Sequence, residues 1–314
     1  MKSKQTILIL IIIAFGGCKF KENSSKKIME ERFKGYQEII TDAKSIPEIL
    51  PEKSLTKITI PDDFRGHTIN VDEMLDSVFY VKLETTDSCL IGRIDRLLFA
   101  DNRIVVVEKT QRNSLLLFSM DGKFISQVGQ SGQGPEEYIA IRDVAVDYEN
   151  KHVIVLDDHG KKMLYYDLNG NYLKSQRLIY WPYKFAVLTD GNILFEQRRN
   201  VNSHIPPICD NILLFAEYTS LNITGKTLSY TYRDKYKNNE LQSNTNLNMA
   251  GSTVLYNPYF TDTIYEIKSV NRLVAKYVID MGNKNITSAF NVNTTIDDVM
   301  ALMITDRYFY CPYQ

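Results

Sequence analysis

The chain has 314 residues, with 37 lysines and arginines against 38 aspartates and glutamates, a formal charge of -1, and 44% hydrophobic residues. Disorder needs lower hydrophobicity and a larger net charge, and nucleic acid as main partner needs a basic excess, so both are excluded. Twenty tyrosines and fourteen phenylalanines favour β structure, in one large domain or two ordinary ones.

The N-terminus reads as an address. Lys2 and Lys4 precede an unbroken apolar run, Ile7–Phe15. The run is too short to cross a hydrocarbon core of roughly 30 Å, which takes about twenty helical residues. Gly16 and Gly17 then lead directly into Cys18. This pattern resembles the lipobox of bacterial lipoproteins, although Phe15 stands where leucine is usual. The resemblance implies a signal peptide over 1–17 and lipid attachment at Cys18. It also implies residence in the bacterial cell envelope, on the outer membrane, facing either the periplasm or the surface. A plain secretory signal with an incidental cysteine is the alternative.

Residues 18–54 read as a tether. Lys19–Lys27 is polar and without periodicity, and Ile28–Ile49 carries scattered apolar residues that suit a short helix ending near Pro47. Of the other cysteines, Cys89, Cys209 and Cys311 allow at most one disulfide, and spacing does not choose it. No CxxC pair occurs, so structural zinc and redox chemistry are not expected and free thiols are.

A β pattern takes over at about Leu55 and defines a domain over 55–314. From Arg93 onward one theme recurs: two short strands, a polar loop, then two strands around a tight turn. The first copy runs Leu97–Ala100, Asp101-Asn102, Ile104–Glu108, then Leu115–Met120, Asp121-Gly122, Lys123–Val128. The second runs Asp143–Asp147, Glu149-Asn150, His152–Asp157, then Met163–Leu168, Asn169-Gly170, Tyr172–Leu178. The third runs Lys184–Leu188, Asp190-Gly191, Asn192–Gln197, then Ile212–Tyr218, Thr224-Gly225, Lys226–Tyr232. A looser fourth has Ser252–Asn257, Thr263–Lys268, a turn near Asn271, and Leu273–Asp280. Asp-Gly and Asn-Gly supply the positive φ of two-residue hairpins. Gly122, Gly170, Gly225 and Asn271 recur every ~50 residues, the spacing of β-propeller blades. The expected fold is therefore all-β, a β-propeller of four-stranded antiparallel blades; a β-sandwich gives no reason for the near-constant period.

The segment Val81-Lys82-Leu83-Glu84-Thr85-Thr86 with Leu90-Ile91-Gly92 resembles the opening of the six-bladed β-propeller lipoproteins of Bacteroidetes, which relate loosely to NHL-repeat propellers. Phe118-Ser119-Met120-Asp121-Gly122-Lys123-Phe124, Val128-Gly129, then Gly132, Gln133, Gly134, Pro135 and Tyr138, are similar to that family's signature, with Glu136 where glycine is common. The resemblance spans about residue 55 to the end and implies architecture and export, not a reaction. A six-bladed ring needs more strands than the chain supplies. Ser77–Leu83 would complete the last blade, and Ala301–Cys311 would be the first hairpin of a fifth. The chain is thus expected to be truncated at its C-terminus, an open ring being the alternative.

Candidate chemistry is dispersed. Gly129–Pro135 lacks the Gly-Lys-Ser/Thr and following helix of a phosphate loop, so Gly132, Gly134, Pro135 and Tyr138 are assigned a structural role at the passage between blades. His67, His152, His159 and His204 form no HxH or HxxxH pair, and neither a metal site nor a cofactor is expected. Asp167–Asn171 mimics a calcium loop but reads better as a hairpin. Asp157, Asp158 and His159 form a charged cluster after an inner strand. Tyr180, Trp181 (the sole tryptophan) and Tyr183 form an aromatic cluster that suits stacking on a sugar or gripping a peptide. Glu136, Glu137 and Arg142 suit an edge or a channel mouth. Two functional classes follow: a non-catalytic, membrane-anchored scaffold binding a protein, peptide or glycan, or a propeller hydrolase or lyase with a dispersed metal-assisted site in the central channel.

Overall fold

The computed structural model describes residues 27–34, 46–60, 70, 76–198, 201–229, 247–250, 253–258 and 261–280. Cys18, the signal segment, His67, Ala301–Cys311 and the remainder lie outside the described residues. The described chain is all-β apart from one helix at residues 27–32, and no helix in it is long and apolar enough to cross a membrane.

Three sheets are four-stranded antiparallel meanders in sequence order. The first holds β2 (Arg96–Ala100), β3 (Arg103–Glu108), β4 (Ser114–Ser119) and β5 (Phe124–Gln127). The second holds β6 (Asp143–Asp147), β7 (His152–Asp157), β8 (Lys162–Asp167) and β9 (Tyr172–Arg177). The third holds β10 (Lys184–Val187), β11 (Asn192–Glu196), β12 (Asn211–Glu217) and β13 (Ile223–Ser229). The fourth contains β14 (Leu247–Ala250), β15 (Thr253–Tyr256), β16 (Thr263–Ser269) and β17 (Arg272–Asp280). It gains a fifth strand, β1 (Glu52–Thr59), parallel to β17. The first strands β2, β6, β10 and β14 are neighbours in succession, so the sheets radiate as propeller blades with these strands innermost.

The second strand of each blade explains the arrangement. Ile104-Val105-Val106-Val107 is apolar without interruption because both its faces are covered. Val105 and Val107 enter the core shared with the second blade, whereas Ile104 and Val106 enter a cluster on the opposite face. The same alternation sends Val153 and Val155 back to the first blade and Ile154 and Leu156 on to the third. Ile193 and Phe195 face the second blade, and Leu194 the fourth. A period-2 strand thus glues two neighbours, each buried Val, Leu or Ile contributing roughly 1.5–3 kcal/mol.

The hairpin glycines adopt the left-handed conformation expected of them, with φ of 84° at Gly122, 86° at Gly170 and 77° at Gly191. Thr224-Gly225 is a correction. Gly225 lies inside β13, opposite Phe215, and the turn falls earlier, where Leu221 has φ 60°. Gly225 serves close approach instead: a Cβ there would sit 2.5 Å from Ile49 Cδ1. Three further readings are revised. Ser77–Leu83 forms no strand; Val81 and Leu83 lie on the outward face of the first blade against its apolar cluster. The fourth blade begins with β14, ahead of the strands read from sequence. The helix stops by residue 32, and Glu48 instead bridges Lys226 in extended conformation.

Candidate functional site

One register position recurs. Asp95 N donates to Val107 O, Arg142 N to Leu156 O and Tyr183 N to Glu196 O, which makes Glu108, Asp157 and Gln197 equivalent, one residue further on. All three are buried and each locks a loop. Glu108 accepts from Gly92 N at 3.2 Å. Asp157 accepts from Ile139 N (2.8 Å), Ala140 N (3.2 Å) and Gly160 N (2.8 Å). Gln197 donates to Asn211 O at 2.7 Å and accepts from Asn202 Nδ2 at 2.5 Å. Asn202 in turn holds Trp181 by both backbone groups, at 2.6 Å to N and 3.1 Å to O.

Asp158, the next residue after Asp157, faces the opposite way and gathers the candidate site. Its carboxylate accepts two bonds from Arg142, from Nε at 2.8 Å and Nη2 at 2.6 Å, and one from Trp181 Nε1 at 2.8 Å. The second oxygen is 2.9 Å from His159 Nδ1. Burial raises the Asp158 carboxyl, but Arg142, Trp181 and His159 together outweigh it and hold the group below the usual carboxylate range. Tyr183 stacks under Arg198, whose guanidinium carbon is 3.6 Å from the ring centroid, with Arg142 at 5.4 Å. Trp181, Tyr183, Asp158 and His159 therefore meet on one face between the second and third blades.

The other two residues of the predicted set take internal positions. Asp157 is a lock, as above. Tyr180 is 2% exposed, packs edge-on to Phe195 and donates to Leu221 O at 2.9 Å. The glycine-rich passage folds upon itself: Glu137 accepts from Gly134 N at 2.8 Å and from Gln130 Nε2 at 2.6 Å. A Cβ on Gly132 would lie 2.0 Å from Glu137 Oε2. Tyr138 is fully buried and donates to Val128 O, and Lys162 Nζ donates to Gly134 O. Asp167 closes its hairpin by accepting from Asn169 N and Asn171 N, both at 2.8 Å. Cys89 and Cys209 are free thiols, and among the described residues no group of three His, Cys, Asp or Glu side chains could hold a metal ion.

Sequence reasoning missed a second polar set around the inner strands. Arg96, Asp143 and Lys184 begin the innermost strands of three successive blades, giving charges that alternate in sign from blade to blade. Arg96 donates to Asp143 Oδ1 at 3.0 Å, and Asp143 Oδ2 accepts from Phe185 N at 3.1 Å. Glu196, opposite Lys184, occupies the register where the earlier blades have Val107 and Leu156. Its Oε1 meets Tyr256 Oη at 3.3 Å and its Oε2 has no hydrogen-bond partner among the described residues. Burial pushes its carboxyl up to about 7 despite Lys184. Aligning the copies by register would have exposed this carboxylate in an apolar column.

The chain belongs to the family described as Domain of unknown function (DUF4934), whose model matches residues 55–313. No curated protein matches it. A crystal structure of a Bacteroides fragilis protein described as exported is similar, with TM-score 0.57 and 22% identity over 73% of this chain and 61% of that one. This chain thus spans about three-fifths of that protein's length, and the likeness bears on the fold, which it supports as a propeller. A member of the duf4221 family from Bacteroides vulgatus has TM-score 0.38 and 9% identity, over 55% of this chain and 54% of that one. A virginiamycin B lyase from Staphylococcus aureus has TM-score 0.36 and 13% identity, over 59% and 56%. Neither carries an argument at those scores.

Proposed function

We propose that this DUF4934 member is an exported binding platform, lipid-anchored through Cys18 in the bacterial cell envelope, whose propeller presents the face between the second and third blades to a protein, peptide or glycan. In this reading the ring is of the six-bladed, NHL-like kind. The similar Bacteroides fragilis protein, described as exported, supports the location. The observation that carries the binding role is the convergence of Trp181, Tyr183, Asp158 and His159 with two arginines on one face. Half-exposed aromatic rings beside fixed charges are what recognition surfaces use as anchors. The test is cross-linked capture from native envelope with full-length protein. Trp181→Ala/Tyr183→Ala should lose at least tenfold of any specific partner while the melting curve stays near wild type; undiminished capture overturns the site.

A second reading has its own support. Glu196, with an orphaned oxygen and a carboxyl raised to about 7 beside Lys184, has the environment of an acid–base group. The hydrolase or lyase alternative would centre there. Stoichiometric divalent metal in purified protein, with a hydrolytic or lyase activity lost in Glu196→Gln, would favour it over a pure scaffold.

A further inference from the structure

The candidate face is already filled by a piece of the same chain. Residues 27–34 lie across it and touch it with two adjacent side chains. The Arg32 guanidinium sits 3.6 Å above the Trp181 ring centroid and donates to the Asp158 backbone carbonyl. Phe33, 2% exposed, stacks on His204 with centroids 4.4 Å apart and planes within 2°. Lys161 Nζ secures the backbone between them by donating to Arg32 O at 2.7 Å. His204 keeps its ring in place by bonding Ile179 O at 3.0 Å. Of the rest of the segment, Lys27, Ile28, Glu30, Glu31 and Lys34 are exposed and Met29 is half-buried.

A helix of under two turns is not stable alone in water, so the docking holds the segment in shape. Two anchor side chains seated side by side, flanked by mostly exposed residues, is the pattern of a short linear peptide on its receptor. The features of the face match the pair: a π face with a carbonyl acceptor for a guanidinium, and a flat, half-buried imidazole for a ring. Arg32 Nε is buried without a hydrogen-bond partner among the described residues, so the match is incomplete and improvable.

We propose that this face is a peptide-docking groove selective for arginine followed by an aromatic residue, and that residues 27–34 are its resident ligand in cis. This rests on the binding-platform reading and gives the class of partner: an exposed peptide segment with that pair. A covalently linked occupant acts at high effective concentration, so an outside peptide must compete with it. The groove stays closed to weak partners.

The sole tryptophan lies in the groove, so its fluorescence reports occupancy. Full-length Arg32→Ala/Phe33→Ala should show red-shifted emission and at least twofold greater acrylamide quenching than wild type, with an unchanged far-UV spectrum. A synthetic peptide of sequence 27–34 should saturably reverse both changes in that variant, and respond at least tenfold more weakly with wild type. The same peptide with alanine for its arginine and phenylalanine should do neither. Identical quenching in variant and wild type, or equal effects of the two peptides, overturns the proposal. Failure of the peptide arm alongside envelope capture that depends on Trp181 removes the resident ligand and leaves the platform; loss of both removes both.

Discussion

The first two passages that carry the chain from the outer strand of one blade to the inner strand of the next are held differently. The first, between β5 and β6, is locked directly by a buried charge: Asp157 takes two of its backbone N–H groups and one from its own turn. The second, between β9 and β10, is held through neutral amides, Gln197 to Asn202 to Trp181. The first passage fills its own space with Tyr138 and Glu137. The second leaves an aromatic surface that another segment covers. A charge-locked loop resists change, and a relayed one whose aromatic surface is covered by a separate segment is where a partner can enter without disturbing the core.

Substitutions can break this contrast in order of expected effect. Asp157→Ala removes the buried acceptor of three backbone N–H groups and should cost about 3 kcal/mol in urea unfolding, with Asp157→Asn between it and wild type. Gly129→Ala should cost about 2 kcal/mol. Gly129 has φ 60° and an added Cβ would lie 2.5 Å from Tyr166 Oη, so Tyr166→Phe in the same chain should recover part of the loss. Asn202→Ala in the second passage should cost about 1–2 kcal/mol, with a change in Trp181 emission that Asp157→Ala does not produce below its unfolding transition. Equal costs in the two passages would erase the distinction.

The last effect is one of pH. Glu196 is raised from an ordinary 4.5 to about 7 in the folded protein, so the native state holds its proton more tightly than the unfolded chain. Stability from this group is full below the unfolded value and is lost as pH rises through about 7. Wild type should be less stable at pH 8 than at pH 5, and Glu196→Gln should flatten that slope. Denaturation series at the two pH values decide it; parallel slopes in the two proteins would mean that Glu196 is already ionised at pH 5.

What the sequence disclosed follows from which interactions are local. Gly122, Gly170 and Gly191 announced their hairpins because positive φ is demanded within the turn itself. Gly225 misled for the opposite reason: its constraint is Ile49, far away in the chain. Trp181, Tyr183, Asp158 and His159 stood out by clustering, yet Arg142, Arg198 and His204 join them only through blade packing. The Arg32 and Phe33 contacts had no local signal at all. Leu247–Ala250 escaped because only its pairing with β15 makes it a strand.

The parallel pairing of β1 with β17 also sets a timetable. Residues 52–59 are made well before their partner, residues 272–280, with three blades between them. During synthesis from N- to C-terminus the early blades close on themselves while β1 waits as an unpaired edge. Seating it therefore follows the synthesis of the first three blades. Throughout that wait residues 52–59 stay available to whatever machinery handles the newborn polypeptide.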